Sequence, residues 1–379
     1  MEIALALLTA YLAYLFFEKS HLNRYHRAVK KTVCVTGIRG KSSVTRLITS
    51  ILQHNGARVI GKVTGSKPVL LLPSGEEKHI KRRSYVGSVL EQVRVLMKNA
   101  HALNTDLVVC ETMSITPEIL DIEINKILRA QIVVITRITP DHLDKMPASR
   151  RELLCMFAKF CPRGSTVVTL LENCTEEFKQ IIRKKNCKLF SVSGEKSAVL
   201  PPHYLEFPEN VQLALKTCEL LGIEKSAAIG CLDTISPDIG SLRAWFLPNG
   251  VLAVNAFASN DPESTRRVFE KVKIASGIKD NISGLLNLRS DRGERTLQWI
   301  NYLSQESMGF EKLFVIGGHA EIVSRKLKNI EVLSESDPKS LTEHISEDTK
   351  MIFGFGNIAG MGTALVEYWQ AVGQCLKSL

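Results

Sequence analysis

The sequence predicts an α/β protein: a P-loop-type central domain with a mostly parallel sheet, then a smaller C-terminal α/β domain, preceded by an N-terminal hydrophobic helix. Three observations support this fold class. A β-branched strand, a glycine loop and a helix of 3.6-residue period follow one another within Val33–Leu52. Further apolar runs end in polar loops across the first half of the chain. Strand and helix patterns alternate again from Val251 onward, which is typical of a second parallel sheet.

The N-terminal run Ile3–Phe17 carries no charge, and basic residues follow it. A spanning helix usually needs about 20 apolar residues, so this run is short. A signal peptide would carry positive charge before its apolar core, whereas here Glu2 precedes it. The basic residues behind the run would hold that side in the cytoplasm. We expect a membrane anchor with a cytoplasmic body; a buried or interfacial helix and a cleaved signal are the alternatives.

Composition limits the class of protein. The chain has 379 residues, a formal charge of +10 and 6% aromatic residues, and it contains no recognisable RNA- or DNA-binding motif. We therefore expect no nucleic-acid partner, and the charge suits an anionic membrane or an acidic substrate. Its nine cysteines are scattered without a CxxC pair. That pattern argues against a zinc site or a disulfide framework and fits a reducing cytosol.

The glycine loop of the first strand–helix unit predicts a phosphate site. It runs Gly37-Ile38-Arg39-Gly40-Lys41-Ser42, and Ser43 follows. Loop amides and the helix N-terminus attract phosphate, a lysine reaches the terminal phosphates, and a hydroxyl holds Mg²⁺. Full P-loop spacing would need a glycine at Val35, so this loop is a shortened variant. A solvated loop that merely contains Gly-Lys-Ser is the alternative.

Two more buried strands end in chemically useful residues. Asp106–Cys110 ends at Glu111, and Ile132–Thr136 leads to His142. Because carboxyl ends of parallel strands share one edge, both side chains should lie near the glycine loop. There they would form a carboxylate–imidazole pair for a divalent metal. Taken singly, either residue is as well explained as a structural cap.

The remaining segments extend the two sheets. Gly61–Pro68 is predicted as a second glycine- and lysine-bearing loop, and Glu76–Arg83 as a solvated basic face. Ser165–Leu171 and Cys187–Val192 are predicted strands, and Gly230–Leu242 an interdomain connection. In the second domain we expect strands at Val251–Asn255, Gly284–Leu288, Lys312–Ile316 and Lys350–Gly354, with helices near 262–276, 293–304, 319–327 and 359–373.

Several motifs together resemble a known family. They are TGIRGKSS at Thr36–Ser43, GKVTG at Gly61–Gly65, DHLD at Asp141–Asp144, NAFASNDPEST within Val254–Thr265, NLRSDRGERT at Asn287–Thr296 and GFGNIAG at Gly354–Gly360. The first and third are similar to those of Mur-ligase-like ATP-dependent amide ligases. The NAFASNDPEST and NLRSDRGERT segments narrow the resemblance to the CapB/PgsB family of poly-γ-glutamate synthase subunits.

The uncharged N-terminal run and the resemblance together predict three domains, and the resemblance implies a set of site residues. The domains are an anchor helix at 1–19, an ATP-binding domain at 32–232 and a C-terminal ligase domain at 240–379 that closes over it. Lys41, Glu111 and His142 would be catalytic, with Lys41 on the β/γ-phosphates. Ser42, Glu111 and His142 would hold Mg²⁺, with Mn²⁺ as an alternative. ATP would also contact the glycine loop and three later residues, Asn210 beside the adenine, Asp261 and Arg289.

The resemblance also implies chemistry and partners. The γ-phosphoryl of ATP would activate a glutamate carboxylate as an acyl phosphate, which an amine then attacks to extend poly-γ-glutamate. Arg289 and Arg292 would favour the anionic substrates. Partners would be small membrane-embedded CapC/PgsC-like and CapA/PgsA-like subunits at the cell membrane, and the chain is expected to form a homo-oligomer. Arg137 replaces the asparagine frequent in the superfamily, and Lys159 is not convincingly spaced to be its carbamylated lysine.

Two other functions stay open at this point. One is another Mur-type ligase, such as a folylpolyglutamate synthase-like enzyme; the N-terminal anchor and the NAFASNDPEST segment argue against it. The other is a non-catalytic nucleotide-binding switch at the membrane. Retention of Glu111 and His142 beside the loop favours catalysis, because a switch would not need a second metal site.

Overall fold

The computed structural model describes residues 2–64, 68–80, 89–114, 116–140, 146–194, 207–232, 235, 239–259, 261–306, 308–328, 330–334 and 337–376, with backbone alone for 89–92. These residues form two compact units, one within Met1–Leu200 and Phe207–Ser236, the other within Pro237–Leu379. The division falls inside the predicted connection Gly230–Leu242. The exact domain bounds expected from the sequence stay a prediction.

The first unit is built on a sheet of eight strands within the described residues, in the order β4-β3-β2-β5-β1-β6-β7-β8. The strands are β1 Lys31–Thr36, β2 Val59–Val63, β3 Val69–Leu71, β4 Glu77–His79, β5 Leu107–Glu111, β6 Ile132–Ile135, β7 Thr166–Leu170 and β8 Lys188–Val192. Pairing is parallel along β2-β5-β1-β6-β7-β8. It is antiparallel between β2 and β3 and between β3 and β4. The carboxyl ends of β2, β5, β1, β6 and β7 therefore share one edge.

Helices cover both faces of this sheet. They are α1 Glu2–Ala28, α2 Lys41–His54, α3 Val89–Ala102, α4 Pro117–Asp121, a π-helix at Ile122–Leu128, α5 Arg150–Phe160, α6 Glu176–Lys184, α7 Pro208–Leu220 and α8 Lys225–Gly230. The central strand β1 is buried on both faces, as its apolar run predicts for a parallel strand. Burial on two faces fixes the strand rigidly, and so fixes the glycine loop that follows it.

Helix α1 has two parts of different character. Residues 2–17 are exposed, and the helix is apolar and long enough to cross a membrane by length and composition. Its second part packs on the first unit, where Leu22 and Tyr25 contact the core. The helix thus continues well past residue 19, to Ala28.

The second unit contains a sheet in the order β13-β12-β11-β14-β10-β9-β15 among the described residues. Its strands are β9 Arg243–Phe246, β10 Leu252–Asn255, β11 Ile282–Leu288, β12 Lys312–Gly317, β13 Ile330–Val332, β14 Met351–Phe355 and β15 Gln374–Cys375. Its helices are α9 Pro262–Ser276, α10 Gly293–Gln305, α11 Ala320–Lys326, α12 Pro338–Ser346 and α13 Met361–Val372. Strands β10 to β14 pair in parallel. Strand β9 pairs antiparallel with β10, and β15 pairs antiparallel with β9.

Aromatic packing fills one face of the second sheet. The Phe269 and Phe353 rings meet edge to face at 4.9 Å between centroids, and Phe310 stacks on Phe355 at 5.5 Å. Such pairs stabilise by about 0.5–1.5 kcal/mol beyond the area they bury. The second sheet therefore has its own core.

The structure corrects some element predictions. Gly61, Lys62 and Val63 lie in strand β2 and not in a loop. This assignment was wrong because glycine and lysine masked an otherwise apolar strand. The predicted strands of the second domain are all present, while the antiparallel β9 and β15, the edge strand β13 and helix α12 were missed. The segment Glu76–Arg83 begins with the exposed strand β4, and its last three residues lie outside the described part.

Candidate active site

The glycine loop between β1 and α2 adopts a conformation that requires both of its glycines. Gly37 has φ 125° and Gly40 has φ 88°, values that side chains with a Cβ rarely adopt. A Cβ on Gly37 would collide with the Thr136 hydroxyl, and one on Gly40 with the Asn210 amide. The loop thus packs tightly against β6 and against the start of α7.

Main-chain hydrogen bonds tie this loop to the segment after β6. The amides of Ile38 and Arg39 donate to the carbonyl of Arg137, at 3.1 and 3.2 Å. The guanidinium of Arg137 lies 3.5 Å from Glu172 and 3.7 Å from Glu209. At the position where the superfamily often has asparagine, this chain therefore holds its loop through a backbone carbonyl and extends the side chain toward two carboxylates.

Positive charge is concentrated at the carboxyl end of β1. The Lys41 ammonium donates to the carbonyls of Gly37 and Ile38, both at 3.1 Å, so it lies over the loop. Lys41, Ser42 and Ser43 form the first turn of α2, where the helix dipole adds positive potential. Gly40 has no side chain with which to cap these amides. The arrangement suits an anion.

Ser42 and Glu111 form the strongest candidate for cation binding. The Ser42 hydroxyl lies 3.1 and 3.0 Å from the two oxygens of the Glu111 carboxylate, which is 3% exposed. The amide of Thr64 donates to the same carboxylate at 2.7 Å. Three neighbouring strands, β1, β5 and β2, thus converge here. Hydroxyl and carboxylate oxygens are the ligands that Mg²⁺ prefers.

These two donors fit a phosphate-bound divalent cation. Mg²⁺ is usually held by one or two protein ligands together with substrate phosphates and water. Among the described residues, the side chains of His, Cys, Asp and Glu form no cluster of three or more that would hold a metal without such help. His142, with the whole DHLD motif, lies outside the described residues, so its pairing with Glu111 stays a prediction.

Asn210 lies at the start of α7, is buried, and contacts Gly40. Its placement beside the loop agrees in position with a nucleotide contact, although the adenine contact itself stays a prediction. Lys159 is exposed near the end of α5, which leads to the amino end of β7. It therefore lies at the opposite edge of the sheet from the glycine loop.

Two buried ionisable side chains of the first unit, Lys62 and Glu123, were not foreseen. Lys62 is fully buried, and its ammonium has no hydrogen-bond partner among the described residues. Glu123, in the π-helix, is also fully buried and accepts from the Ser114 hydroxyl at 2.7 Å. Burial raises the pKa of Glu123, and the nearby Lys62 opposes that rise. A lysine inside an otherwise apolar strand was the sequence signal for this pair.

The cysteines of this region are unsuited to nucleophilic chemistry. Burial raises the pKa of Cys34 well above its ordinary value and that of Cys110 to about 12. Both thiols are therefore neutral at physiological pH, and a neutral thiol is a poor nucleophile.

The second unit has its own polar crevice, at the carboxyl ends of β11 and β14. Asn287, Arg289, Arg292, Thr296 and Asn357 line it. Helix α10 leads from β11 toward β12, whereas α13 leads from β14 toward the other edge, so the crevice lies where the connections diverge. Ligands of open α/β sheets bind at such points.

Within that crevice the side chains are held by neighbours. Arg289 pairs with Asp291 through two hydrogen bonds of 2.8 and 2.6 Å, and this contact lowers the pKa of Asp291. Asn287 donates to the carbonyls of Asn357 and Ala359. Asp261 caps α9 by accepting from the Ser264 amide at 2.9 Å, so a structural role is present beside the nucleotide contact expected for it.

Comparisons with known families agree with this geometry. Residues 35–220 match the Mur ligase middle domain, and residues 247–372 match the C-terminal domain of poly-gamma-glutamate synthase CapB. The chain is 30% identical over 367 residues to the PGA synthase CapB of Bacillus subtilis (strain 168), covering 92% of this chain and 93% of that protein. It is 29% identical to the capsule biosynthesis protein CapB of Bacillus anthracis, covering 92% and 78%.

Solved structures share the fold at low identity. The folylpolyglutamate synthase of Thermotoga maritima superposes with a TM-score of 0.62 at 16% identity, over 96% of both chains. The bifunctional folylpolyglutamate synthase/dihydrofolate synthase of Yersinia pestis, solved with AMPPNP and a Mn ion, gives 0.63 at 14% identity over 96% of this chain and 97% of that one.

Fold and middle domain together define the class: this is a Mur-type ATP-dependent amide ligase. With 30% identity across nearly the full length of a curated relative, the chain belongs to the CapB family.

Proposed function

We propose that the chain is the γ-glutamyl ligase that extends poly-γ-glutamate at the expense of ATP. The observation that carries the proposal is the convergence of Lys41, Ser42 and Glu111 at one sheet edge, in a chain of the CapB family. We take the polymer from the C-terminal match, which is to poly-gamma-glutamate synthase CapB. The folylpolyglutamate synthases contribute the fold and no substrate.

The reaction balances without a protein nucleophile. An oxygen of the glutamate carboxylate attacks the γ-phosphorus of ATP, ADP leaves, and an acyl phosphate forms. The amine of the acceptor then attacks the acyl carbon. Phosphate leaves with the former carboxylate oxygen, and the amine proton goes to solvent. Positioning and charge neutralisation are the main requirements of phosphoryl transfer.

Each residue near the loop has a proposed role. Lys41 would offset the charge of the phosphates from its position over the loop, beside the carbonyls of Gly37 and Ile38. Ser42 and Glu111 would hold Mg²⁺ or Mn²⁺, which neutralises phosphate charge when bound. Thr64 would fix the orientation of the Glu111 carboxylate. His142 and Asn210 remain proposed contacts for the metal and the adenine.

The arginine-lined crevice of the second unit would take anionic groups of the reactants. Guanidinium groups bind carboxylate and phosphate with two parallel hydrogen bonds, as Arg289 already binds Asp291. A substrate carboxylate would exchange with Asp291. Glutamate and poly-γ-glutamate both supply such groups.

Membrane attachment and partners complete the proposal. The exposed apolar part of α1 would anchor the chain in the cell membrane with its body in the cytoplasm. CapC/PgsC-like and CapA/PgsA-like subunits would be its partners, and the chain would associate with copies of itself.

The test is ADP and phosphate release by detergent-solubilised full-length chain with Mg²⁺. Reactions would contain glutamate, short γ-glutamyl oligomers, or a folate acceptor as the comparison. Release that rises with γ-glutamyl oligomers, with a product of higher mass, is the expected result. Stimulation by the folate acceptor instead would support the folylpolyglutamate alternative. Nucleotide binding without acceptor-dependent release, even in membranes that contain the partners, would support the switch.

A further inference from the structure

The docked half of α1 runs parallel to α3. Glu18 pairs with Arg94 at 2.8 Å, and the Tyr25 ring lies 5.5 Å from the His101 ring. The two contacts are seven residues apart on each helix. Because the earlier residue of one helix meets the earlier residue of the other, the two axes point in the same direction.

Two more contacts fix the end of α1 on the π-helix. His26 donates from Nε2 to the Ile127 carbonyl at 2.7 Å, and Arg129 donates to the Asn23 amide oxygen at 2.7 Å. Both α3 and the π-helix lead into the amino ends of their strands, β5 and β6. The end of α1 therefore lies at the amino edge of the first sheet, where β1 begins.

The start of α1 must then project past the opposite edge. From Ala28 back to Glu18 the helix rises by about 15 Å, at 1.5 Å per residue. A five-residue strand such as β5 spans about 16 Å. Glu18 is thus level with the carboxyl edge of the sheet, which carries the glycine loop.

The exposed part continues in the same direction. Residues 2–28 form one helix whose sequence contains no proline or glycine, the residues that most often kink helices. Residues 2–17 are exposed on all sides, so no described part of the first unit covers them. The uncharged run therefore has its Phe17 end at the carboxyl edge of the sheet and extends away from that edge toward Ile3.

We infer that the carboxyl edge of the first sheet, with its glycine loop, faces the lipid bilayer. The inference rests on the proposed membrane anchor and adds the orientation of the site. The four contacts of α1 with α3 and the π-helix, called the clamp below, hold the strands along the membrane normal. Reactants of the glycine-loop site then enter and leave through the aqueous layer next to the headgroups.

Two exposed leucines allow a matched test of orientation. Leu171 directly follows β7 at the carboxyl edge and is 60% exposed, whereas Leu103 follows α3 near the amino edge and is 44% exposed. A small fluorescent amino acid would replace either one in the full-length chain. The protein would be reconstituted in phosphatidylcholine–phosphatidylglycerol vesicles that carry nitroxide headgroup lipids.

Quenching at position 171 should exceed quenching at position 103 at least about twofold, because about five strand residues at 3.3 Å each separate the two edges. Equal or reversed quenching in protein that co-sediments with vesicles would overturn the orientation and leave the anchor intact. Equal quenching is the pattern of a helix lying in the membrane plane. Failure to co-sediment would overturn the anchor, and the orientation with it.

A second pair of variants tests the rigid helix. Inserting Gly-Ser-Gly between Phe17 and Glu18 should abolish the difference between the two positions, since it frees the direction of the exposed part. Inserting Ala-Ala-Ala at the same place adds equal length but preserves the helix, so the difference should persist. Persistence in the Gly-Ser-Gly variant would contradict the role of the clamp.

Discussion

The two parallel sheets both place polar groups at their carboxyl edges, but they hold charge in different ways. In the first unit, one lysine bonds main-chain carbonyls, and one carboxylate is fixed by a hydroxyl and an amide. In the second unit, the crevice is lined by arginine side chains, and Arg289 bonds a near neighbour in sequence. The charged side chains of the first edge are held by main-chain groups and a hydroxyl, whereas the Arg289–Asp291 pair of the second edge joins two partly exposed side chains.

This difference teaches which edge is preorganised. Groups fixed by backbone need little rearrangement when a ligand binds, which favours a site for charge that develops during reaction. A guanidinium that must leave Asp291 exchanges one partner for another, which favours reversible binding of a substrate anion. We expect changes at the first edge to affect turnover and changes at the second to affect substrate affinity.

The largest effect is expected at Lys41. Lys41→Ala should lower kcat by about 100-fold or more, since removing one preorganised donor to transition-state charge typically has that effect. Initial rates of ADP release would measure it. The control is Lys31→Ala, at the opposite end of the same strand, which should retain activity. Full activity in folded Lys41→Ala protein would exclude the glycine loop as the ATP site.

Glu111 should control the metal requirement. Glu111→Gln removes the charge but keeps an oxygen for the Thr64 amide, so the fold should survive. The Mg²⁺ concentration for half-maximal activity should rise by about 10-fold or more, the usual scale for loss of a group that supports a metal. A magnesium titration would show this. Glu118→Gln, an exposed carboxylate in α4, is the control, and an unchanged titration in Glu111→Gln would remove Glu111 from the metal site.

Arg289 should affect affinity more than turnover. Arg289→Ala should raise KM for γ-glutamyl oligomers by about 10-fold with little change in kcat, because a charge-assisted hydrogen bond contributes about 1.5–3 kcal/mol. Arg325→Ala is the matched control, since its ion pair with Glu321 lies on the exposed surface. A rise confined to KM for ATP would assign the crevice to the nucleotide.

The smallest effect concerns pH and Glu123. Its raised pKa means that the folded chain binds this proton more tightly than the unfolded chain. The contribution of Glu123 to the free energy of unfolding is then largest below its ordinary pKa of 4.5 and is lost as pH rises through the raised value. Glu123→Gln cannot ionise, so urea unfolding at several pH values should show a weaker decline. A decline identical to that of the unmodified chain would contradict the buried charge.

The sequence predicted those parts that local pattern determines. The strand before Gly37 and the helix after Gly40 were predicted correctly, because apolar periodicity and glycine act directly on the local backbone. The position of Glu111 next to Ser42 followed from the shared edge of parallel strands. Each of these residues follows or ends a strand of the same parallel sheet, so its place along the chain indicates its edge of the sheet.

Other features depended on contacts between distant segments. The Arg137 carbonyl holds the glycine loop, and the charge of Lys62 acts on the buried Glu123; in each case the two groups come from segments far apart in sequence. Strands β9 and β15 pair with each other although they lie near opposite ends of the second unit's sequence. A run as short as Gln374–Cys375 has no periodicity from which a strand could be predicted. Docking of α1 on α3 likewise arises from tertiary packing.

The most direct test of the account follows one oxygen atom. Glutamate and γ-glutamyl oligomers, both labelled with ¹⁸O in their terminal γ-carboxylates, would be incubated with the chain, ATP and Mg²⁺, and the released phosphate would be analysed by mass spectrometry. If the carboxylate is activated by phosphorylation, one labelled oxygen appears in the phosphate for each bond formed. Phosphate without label, while polymer still grows, would contradict the acyl-phosphate route.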